Sequence, residues 1–144
     1  MSSKYVVACD ESPASDRALQ FAIDQAITSG ASILIVHVLE WSPYSFLTPE
    51  EIEERHKRRK EELSRAQSAL IDGLVAKVSS AGVEVDSTIR YGHTAKIVAE
   101  IASQKKASQL FIGRTGDGGI SARVFGSVAS TIAQISPVPC TIVP

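Results

Sequence analysis

Short apolar runs alternate along the chain with segments in which apolar residues recur at helical spacing. Five of these runs have the length of a β-strand and cover residues 5–9, 32–39, 83–91, 110–113 and 138–143. Four segments of helical character separate them and begin near Ser12, Thr48, Gly92 and Gly126. Strands that alternate with helices in this way predict a parallel sheet with right-handed crossover connections.

The longest helical segment has two halves of different character. Thr48, followed three residues later by Glu51, is a capping-box pattern that opens a helix predicted to run to about residue 80. Its first turns, EEIEERHKRRKEE, carry opposite charges four residues apart, such as Glu54 and Arg58, and should project into solvent. Its second half is predicted to pack through one apolar stripe formed by Leu63, Ala66, Leu70, Leu74 and Val78.

The composition is that of one globular domain. The chain has 144 residues, of which 44% are hydrophobic and 22% charged, so it is long enough to close a single core. We therefore predict one domain over residues 1–144 with an α/β fold. This fold is a doubly wound, Rossmann-like, five-stranded parallel sheet with strand order 3-2-1-4-5 and helices on both faces.

Charge and cysteine content narrow the possible partners. Lys and Arg total 15 against 16 Asp and Glu, so no overall positive field favours nucleic-acid binding. Cys9 and Cys140 lie in apolar runs far apart in sequence, and we interpret both as buried thiols in a reducing compartment. The sequence shows no signal-peptide pattern and no apolar run of membrane length, so we expect a cytoplasmic protein without a membrane partner.

The candidate site lies where the first and fourth strands end. Asp10 follows the first strand and a glycine-rich segment follows the fourth. These strands are neighbours in the predicted order 3-2-1-4-5, so we expect the two to face one crevice. Gly113 and Gly116 would let backbone N–H groups approach an anion, and Gly126-Ser127 would open a helix with free amides and a hydroxyl. This chemistry suits phosphate. The segment is neither a P-loop nor a G-x-G-x-x-G motif, because no Lys follows the glycines and their spacing differs.

Each of these residues also has a purely structural interpretation. Gly113 would simply end a strand, and Asp10 would cap the following helix while it also faces a ligand. His37 lies in an apolar strand, where a core histidine with satisfied hydrogen bonds is favoured over a functional one. His93 is interpreted as a helix-start residue.

The pattern Gly113-x-x-Gly116, nine residues, then Gly126-Ser127 resembles the nucleotide-binding motif of the universal stress protein family. Four further segments are similar to family motifs and come in the same order: Asp10 in VVACDES, His37-Val38, Gly92-His93-Thr94-Ala95 and Ser136-Pro137-Val138-Pro139-Cys140. The resemblance covers the whole chain.

The resemblance implies that the protein binds ATP, ADP or AMP, with Mg²⁺ as the accompanying metal and Asp10 as its candidate ligand. Adenine would lie against the backbone near Val38, ribose near Asp10, and phosphates at the glycines and the following helix. The implied contact set is Ala8, Asp10, Val38, Ile112, Gly113, Arg114, Gly116, Asp117, Gly126, Ser127 and Val128. The resemblance also implies a homodimer through residues 138–143.

Two residues depart from the family pattern. Asp117 stands where Arg or Lys is common, and Thr94 replaces a proline. Asp117 would repel the outer phosphates, and Arg114 and Arg123 are the cations that would compensate.

Three functional classes are open at this point. The favoured one is an ATP-binding regulatory module of the stress response, with a further protein partner left open. The second is a slow ATPase or phosphotransferase, for which Asp10, Asp117 and His93 are the candidate bases. The third is a nucleotide-free dimeric scaffold, whose motif would normally be broken at the glycines.

Overall fold

The computed structural model describes residues 3–40, 48–115 and 126–144. Its strands form one parallel five-stranded sheet in the order β3-β2-β1-β4-β5. The strands are β1 Lys4–Ala8, β2 Ser32–Leu39, β3 Val85–Tyr91, β4 Gln109–Gly113 and β5 Cys140–Val143. The predicted fold class and strand order are therefore confirmed.

Helices cover both faces of this sheet. They are α1 Pro13–Ser29, α2 Pro49–Ala66, α3 Asp72–Ser80, α4 Thr94–Gln104 and α5 Ser127–Ile135. Ser12 caps α1 through its side chain, Pro13 is the first helical residue, and Gly30 ends the helix at a φ of 77°. Thr48 caps α2 in the same way, because its hydroxyl oxygen accepts from the Glu51 N–H at 3.2 Å. The helix starts predicted at Ser12 and Thr48 are confirmed.

The sheet divides the hydrophobic core into two layers. Val7 and Phe111 pack with α1 and α3 on one face, and Val6 and Leu110 pack with α4 and α5 on the other. These four side chains are fully buried, because β1 and β4 have neighbouring strands on both sides and helices above and below. This buried centre carries the strand ends that form the candidate site.

The apolar stripe predicted for the long helix is wrong in two places. Leu63 is 40% exposed, whereas Ile71, which the stripe omitted, is fully buried. A π-helical turn over Gln67–Ile71, which joins α2 to α3, accounts for the burial of Ile71. Leu63 lies before this turn, in α2, which has no buried residue. A wider turn shifts the face that later residues present to the sheet, and this shift cannot be read from a constant helical period. The solvent-exposed half is as expected, because α2 has no buried residue and Glu54 pairs with Arg58 at 3.5 Å.

Smaller corrections concern strand ends and thiols. β3 begins at Val85, two residues later than the apolar run, and it forms one edge of the sheet. Both cysteines are free; Cys9 is buried as predicted, but Cys140 is only half-buried because β5 is the other edge strand. Burial raises the pKa of the Cys9 thiol to about 12.

Within the described ranges, no helix combines the length and apolar character needed to span a bilayer.

Candidate functional site

A cleft of about 440 Å³ lies at the carboxyl ends of β1, β2 and β4. β1 pairs with both β2 and β4, so the cleft opens at the point where the strand order reverses. Its volume is in the range of small-molecule sites. The predicted site residues that line it are Ala8, Asp10, Val38, Ile112, Gly113, Arg114, Gly126, Ser127 and Val128. Gly116, Asp117 and Arg123 lie outside the described residues.

Asp10 joins the end of β1 to the start of α1. Its Oδ1 accepts a hydrogen bond from the Ser12 N–H at 2.8 Å and another from the Ser12 hydroxyl. Its own N–H donates to Ser15 Oγ at 2.9 Å. Asp10 therefore supports the capped start of α1, which was its structural interpretation. The same carboxylate lines the cleft, and Oδ2 has no hydrogen bond to any described residue.

The N-terminus of α5 also lines the cleft. Gly126 occupies the N-cap position, where it offers no side chain to cap the helix. The first helical hydrogen bond runs from the Ser130 N–H to the Gly126 carbonyl at 3.0 Å. The N–H groups of Ser127, Val128 and Ala129 consequently have no partner among the described residues. These unpaired donors lie at the positive end of the helix dipole and suit an anion.

One predicted donor is already occupied. The Gly126 N–H donates to the Arg114 carbonyl at 2.8 Å, so the prediction of a free amide at Gly126 is wrong. The Arg114 N–H in turn donates to the Val143 carbonyl at 2.7 Å. These two bonds attach the start of α5 to the ends of β4 and β5. Among the described residues, the unpaired N–H groups at the start of α5 accordingly begin one residue later, at Ser127.

Gly113 serves helix packing. A Cβ built on this residue would lie 2.8 Å from the carbonyl carbon of Ala14 and 2.9 Å from the Ala14 carbonyl oxygen. Gly113 belongs to β4 on the face where Phe111 packs, and α1 begins against it. The missing Cβ thus admits the backbone of α1. That Gly113 also lets a backbone N–H approach an anion stays a prediction.

Several polar side chains that line the cleft were not predicted as site residues, among them His37, Glu40 and Thr94. His37 was interpreted as a core histidine, but it is half-buried and lines the cleft, with Nδ1 2.7 Å from the Cys9 carbonyl oxygen. Glu40 and Thr94 line the cleft as well, and the Thr94 hydroxyl donates to Glu40 Oε1 at 2.8 Å. Glu40 directly follows β2, so the rule that found Asp10 would also have found it. His93 is exposed at the N-cap of α4 and makes no capping hydrogen bond through its side chain.

The described residues do not form a preassembled metal site. No group of three or more His, Cys, Asp or Glu side chains that could hold a metal ion occurs within the described ranges. Asp10 offers one carboxylate oxygen to a cation. Mg²⁺ commonly takes one or two protein carboxylates and completes its shell with phosphate oxygens and water, so a nucleotide would have to supply the other ligands.

Comparison with known proteins gives one consistent family. A sequence model described as the universal stress protein family matches residues 1–144. The universal stress protein YxiE of Bacillus subtilis is 26% identical over 156 residues, covering 99% of each chain. The structure of universal stress protein UspA from Lactobacillus plantarum superposes with a TM-score of 0.87 at 20% identity, covering 99% of this chain and 97% of that one.

Three other similar structures contain an adenine nucleotide. One is a universal stress protein in complex with cAMP, at 22% identity and a TM-score of 0.70, with 99% of this chain and 96% of that chain covered. Another is the universal stress protein from Archaeoglobus fulgidus in complex with dAMP, at 23% identity and a TM-score of 0.65, with 100% of this chain and 98% of that chain covered. A third is a universal stress protein family member from Arabidopsis thaliana with AMP bound, at 18% identity and a TM-score of 0.66, with 98% of this chain and 90% of that chain covered. The family model matches from the first residue to the last, and the chain therefore belongs to the universal stress protein family.

Proposed function

We propose that the cleft binds an adenine nucleotide, and that the protein is a regulatory module of the stress response that responds to this ligand. The observation that carries the proposal is the uncapped N-terminus of α5, where three successive N–H groups line the cleft without a partner among the described residues. Helix N-termini with unpaired N–H groups bind phosphate. A cytoplasmic location and a single domain over residues 1–144 belong to the same proposal and rest on the sequence alone.

The two ends of the cleft suit the two ends of a nucleotide. Ser127 and Val128 would hold a phosphate, and Asp10 lies between them and β2 as a hydrogen-bond acceptor for ribose hydroxyl groups. Val38 and Ile112 offer apolar surface at the carboxyl ends of their strands for the base. Family members with similar folds hold cAMP, dAMP or AMP, which share adenine and one phosphate. These relatives support adenine nucleotides as the ligand class.

ATP with Mg²⁺ is the finer form of this proposal. Asp10 is the residue that would contact the metal, through the carboxylate oxygen that Ser12 leaves unoccupied. Gly116 and Asp117 are proposed to lie beside the outer phosphates. The net effect of Asp117 then depends on the metal, because a bridging cation would turn repulsion between a carboxylate and the phosphates into attraction.

Adenine nucleotides should raise the melting temperature of the protein. Free ligand at about a hundred times its dissociation constant should stabilise the folded state by about 2.7 kcal/mol. We would measure thermal unfolding with ATP, ADP and AMP, each with magnesium and with a chelator, and use ribose 5-phosphate as a control that lacks the base. No shift with any of the three nucleotides at millimolar concentration would favour the nucleotide-free scaffold. Phosphate release measured in parallel would detect the ATPase alternative.

We also propose that β5 forms the contact of a homodimer through residues 138–143. The Leu110 N–H donates to the Pro139 carbonyl and the Arg114 N–H to the Val143 carbonyl, so odd-numbered residues of this segment bond to β4. In a parallel ladder the backbone N–H and C=O groups of alternate residues point in opposite directions. The backbone groups of Cys140 and Ile142 therefore face the open edge of the sheet. An edge with unpaired backbone groups is a template for pairing with a second chain.

Replacing Ile142 with proline should convert the proposed dimer to a folded monomer. The substitution removes an N–H from the open edge and leaves the hydrogen bonds to β4 in place, since proline is tolerated where the N–H faces outward. Sedimentation at micromolar concentration would report the oligomeric state, and circular dichroism would report the fold. Ile142→Val is the matched control and should remain dimeric. A wild type that sediments as a monomer, or an Ile142→Pro variant that stays dimeric, would contradict the proposal.

A further inference from the structure

The hydrogen-bond ladder between β1 and β2 follows a regular alternation. At its start the Ser32 N–H donates to the Ser3 carbonyl at 2.9 Å, and at its end the Cys9 N–H donates to the Val36 carbonyl at 2.8 Å. Even-numbered residues of β2 therefore bond towards β1. In a parallel ladder the next bond in this series would run from the Val38 N–H to the Cys9 carbonyl.

A side chain takes the place of that bond. His37 Nδ1 lies 2.7 Å from the Cys9 carbonyl oxygen, and in the described parts of the chain no hydrogen bond links this carbonyl to the Val38 N–H. Because a carbonyl oxygen only accepts, Nδ1 must carry the proton. His37 therefore satisfies the Cys9 carbonyl and ends the ladder one bond early.

Val38 consequently keeps its backbone groups unpaired. Odd-numbered residues of β2 bond towards β3, as the bond from the Gly92 N–H to the Leu39 carbonyl shows at 3.1 Å. The N–H and C=O of Val38 face the other way, towards the end of β1, where the cleft begins. Val38 is half-buried and lines the cleft, and neither group has a partner among the described residues. Half-buried backbone groups that lack a protein partner need water or a ligand.

We infer that His37 is a positioning residue, which holds the Cys9 carbonyl so that the N–H and C=O of Val38 stay available to the base of the bound ligand. A donor beside an acceptor matches the edge of adenine, where N1 accepts and the N6 amino group donates. This inference rests on the proposed nucleotide function and adds to it a residue that controls recognition of the base. His37 itself acts through the backbone of its neighbours.

Replacing His37 with leucine tests this role in the free protein. The Cys9 carbonyl then loses its partner, and the Val38 N–H should bond to it and extend the ladder. Amide hydrogen exchange at Val38, followed by NMR, should be fast in the wild type and at least tenfold slower in the free variant. A merely structural role for His37 would loosen the strand ends and would not protect this amide. Equal or faster exchange at Val38 in the variant would overturn the inference.

Nucleotide binding supplies an independent measurement. His37→Leu should weaken AMP about fivefold to tenfold, the worth of one hydrogen bond, and leave the affinity for pyrophosphate unchanged. His37→Asn should restore AMP binding, because its side-chain N–H₂ group occupies a position close to that of Nδ1. His56→Leu is the matched control on the exposed surface of α2 and should bind AMP like the wild type.

Amide exchange at Val38 and AMP binding test the role of His37 and the proposed nucleotide function separately. A wild type that binds no AMP would overturn the proposed function and the base contact together, whereas the exchange comparison needs no ligand and would still decide the role of His37 in the ladder. Equal loss of AMP and pyrophosphate binding in His37→Leu would show a general distortion of the cleft and overturn the inference. Failure of His37→Asn to restore binding would do the same.

Discussion

Replacing Gly113 with alanine should lower the free energy of unfolding by about 3 kcal/mol, at the upper end of the usual cost of overpacking a core. The added Cβ would lie 2.8 Å from a backbone carbon of Ala14 and 2.9 Å from its carbonyl oxygen. A backbone cannot move aside as a flexible side chain can, so α1 would have to shift away from β4. Denaturant unfolding of the wild type and the variant would measure this loss of unfolding free energy. The slopes m of the two unfolding curves would be compared.

The matched control is the same substitution at Gly73. This glycine is exposed in α3, and a Cβ built there meets no atom within 4 Å. Alanine at this position should raise stability by about 0.5–1 kcal/mol, because glycine is unfavourable within a helix. Changes of opposite sign in the free energy of unfolding at Gly113 and Gly73 would support the helix-packing role of Gly113. A Gly113→Ala variant that loses less than about 1 kcal/mol would show that α1 adapts to the side chain.

Replacing Ser127 with proline should weaken adenine-nucleotide binding by about ten- to a hundredfold, the range expected for one hydrogen bond to a charged group. Proline removes the N–H of the first residue of α5 and is well tolerated at that helical position. Gly126 has a φ of −62° and a ψ of 152°, an extended conformation that a residue before proline readily adopts. The helix should therefore form normally while one phosphate donor is lost.

Ser127→Ala is the control for this variant, since it removes the hydroxyl and keeps the N–H. Calorimetric titration of AMP into both variants would separate the contribution of the backbone donor from that of the side chain. Melting temperatures without ligand would show whether α5 is intact. If Ser127→Pro bound AMP as tightly as Ser127→Ala, phosphate would not lie at the N-terminus of α5, and the orientation proposed for the nucleotide would be wrong.

Much of the fold could be predicted because its signals are local or periodic. The caps of α1, Ser12 and Gly30, act within one turn of the helix, so their residue types alone indicate the ends. The central strands β1, β2 and β4 could be recognised because burial on both faces demands continuous apolar runs. The place of the site followed from a general property of doubly wound sheets, in which strand ends converge where the order reverses. Asp10 and Ser127 could be assigned to one cleft on that basis.

Other features depend on contacts between residues that are distant in sequence. The packing role of Gly113 depends on how closely α1 approaches β4. The Gly126 N–H is occupied because the carbonyl of Arg114, the residue after β4, lies within hydrogen-bond distance of it. Ile71 is buried because a π-helical turn changes the helical period within an otherwise regular segment. No pattern along the chain encodes these distances.

The sequence by itself determined the strands, the capped helix ends, the family resemblance and the general position of the cleft, because each depends on local preference, periodic burial or a recurring motif. Only the tertiary structure decided which polar groups of the cleft remain unpaired. His37 reaches the Cys9 carbonyl from a neighbouring strand, and the register of β2 against β1 leaves Val38 without a backbone partner among the described residues. The physical reason is that the pairing of a backbone group depends on the relative position of two strands, which is established only when the sheet forms.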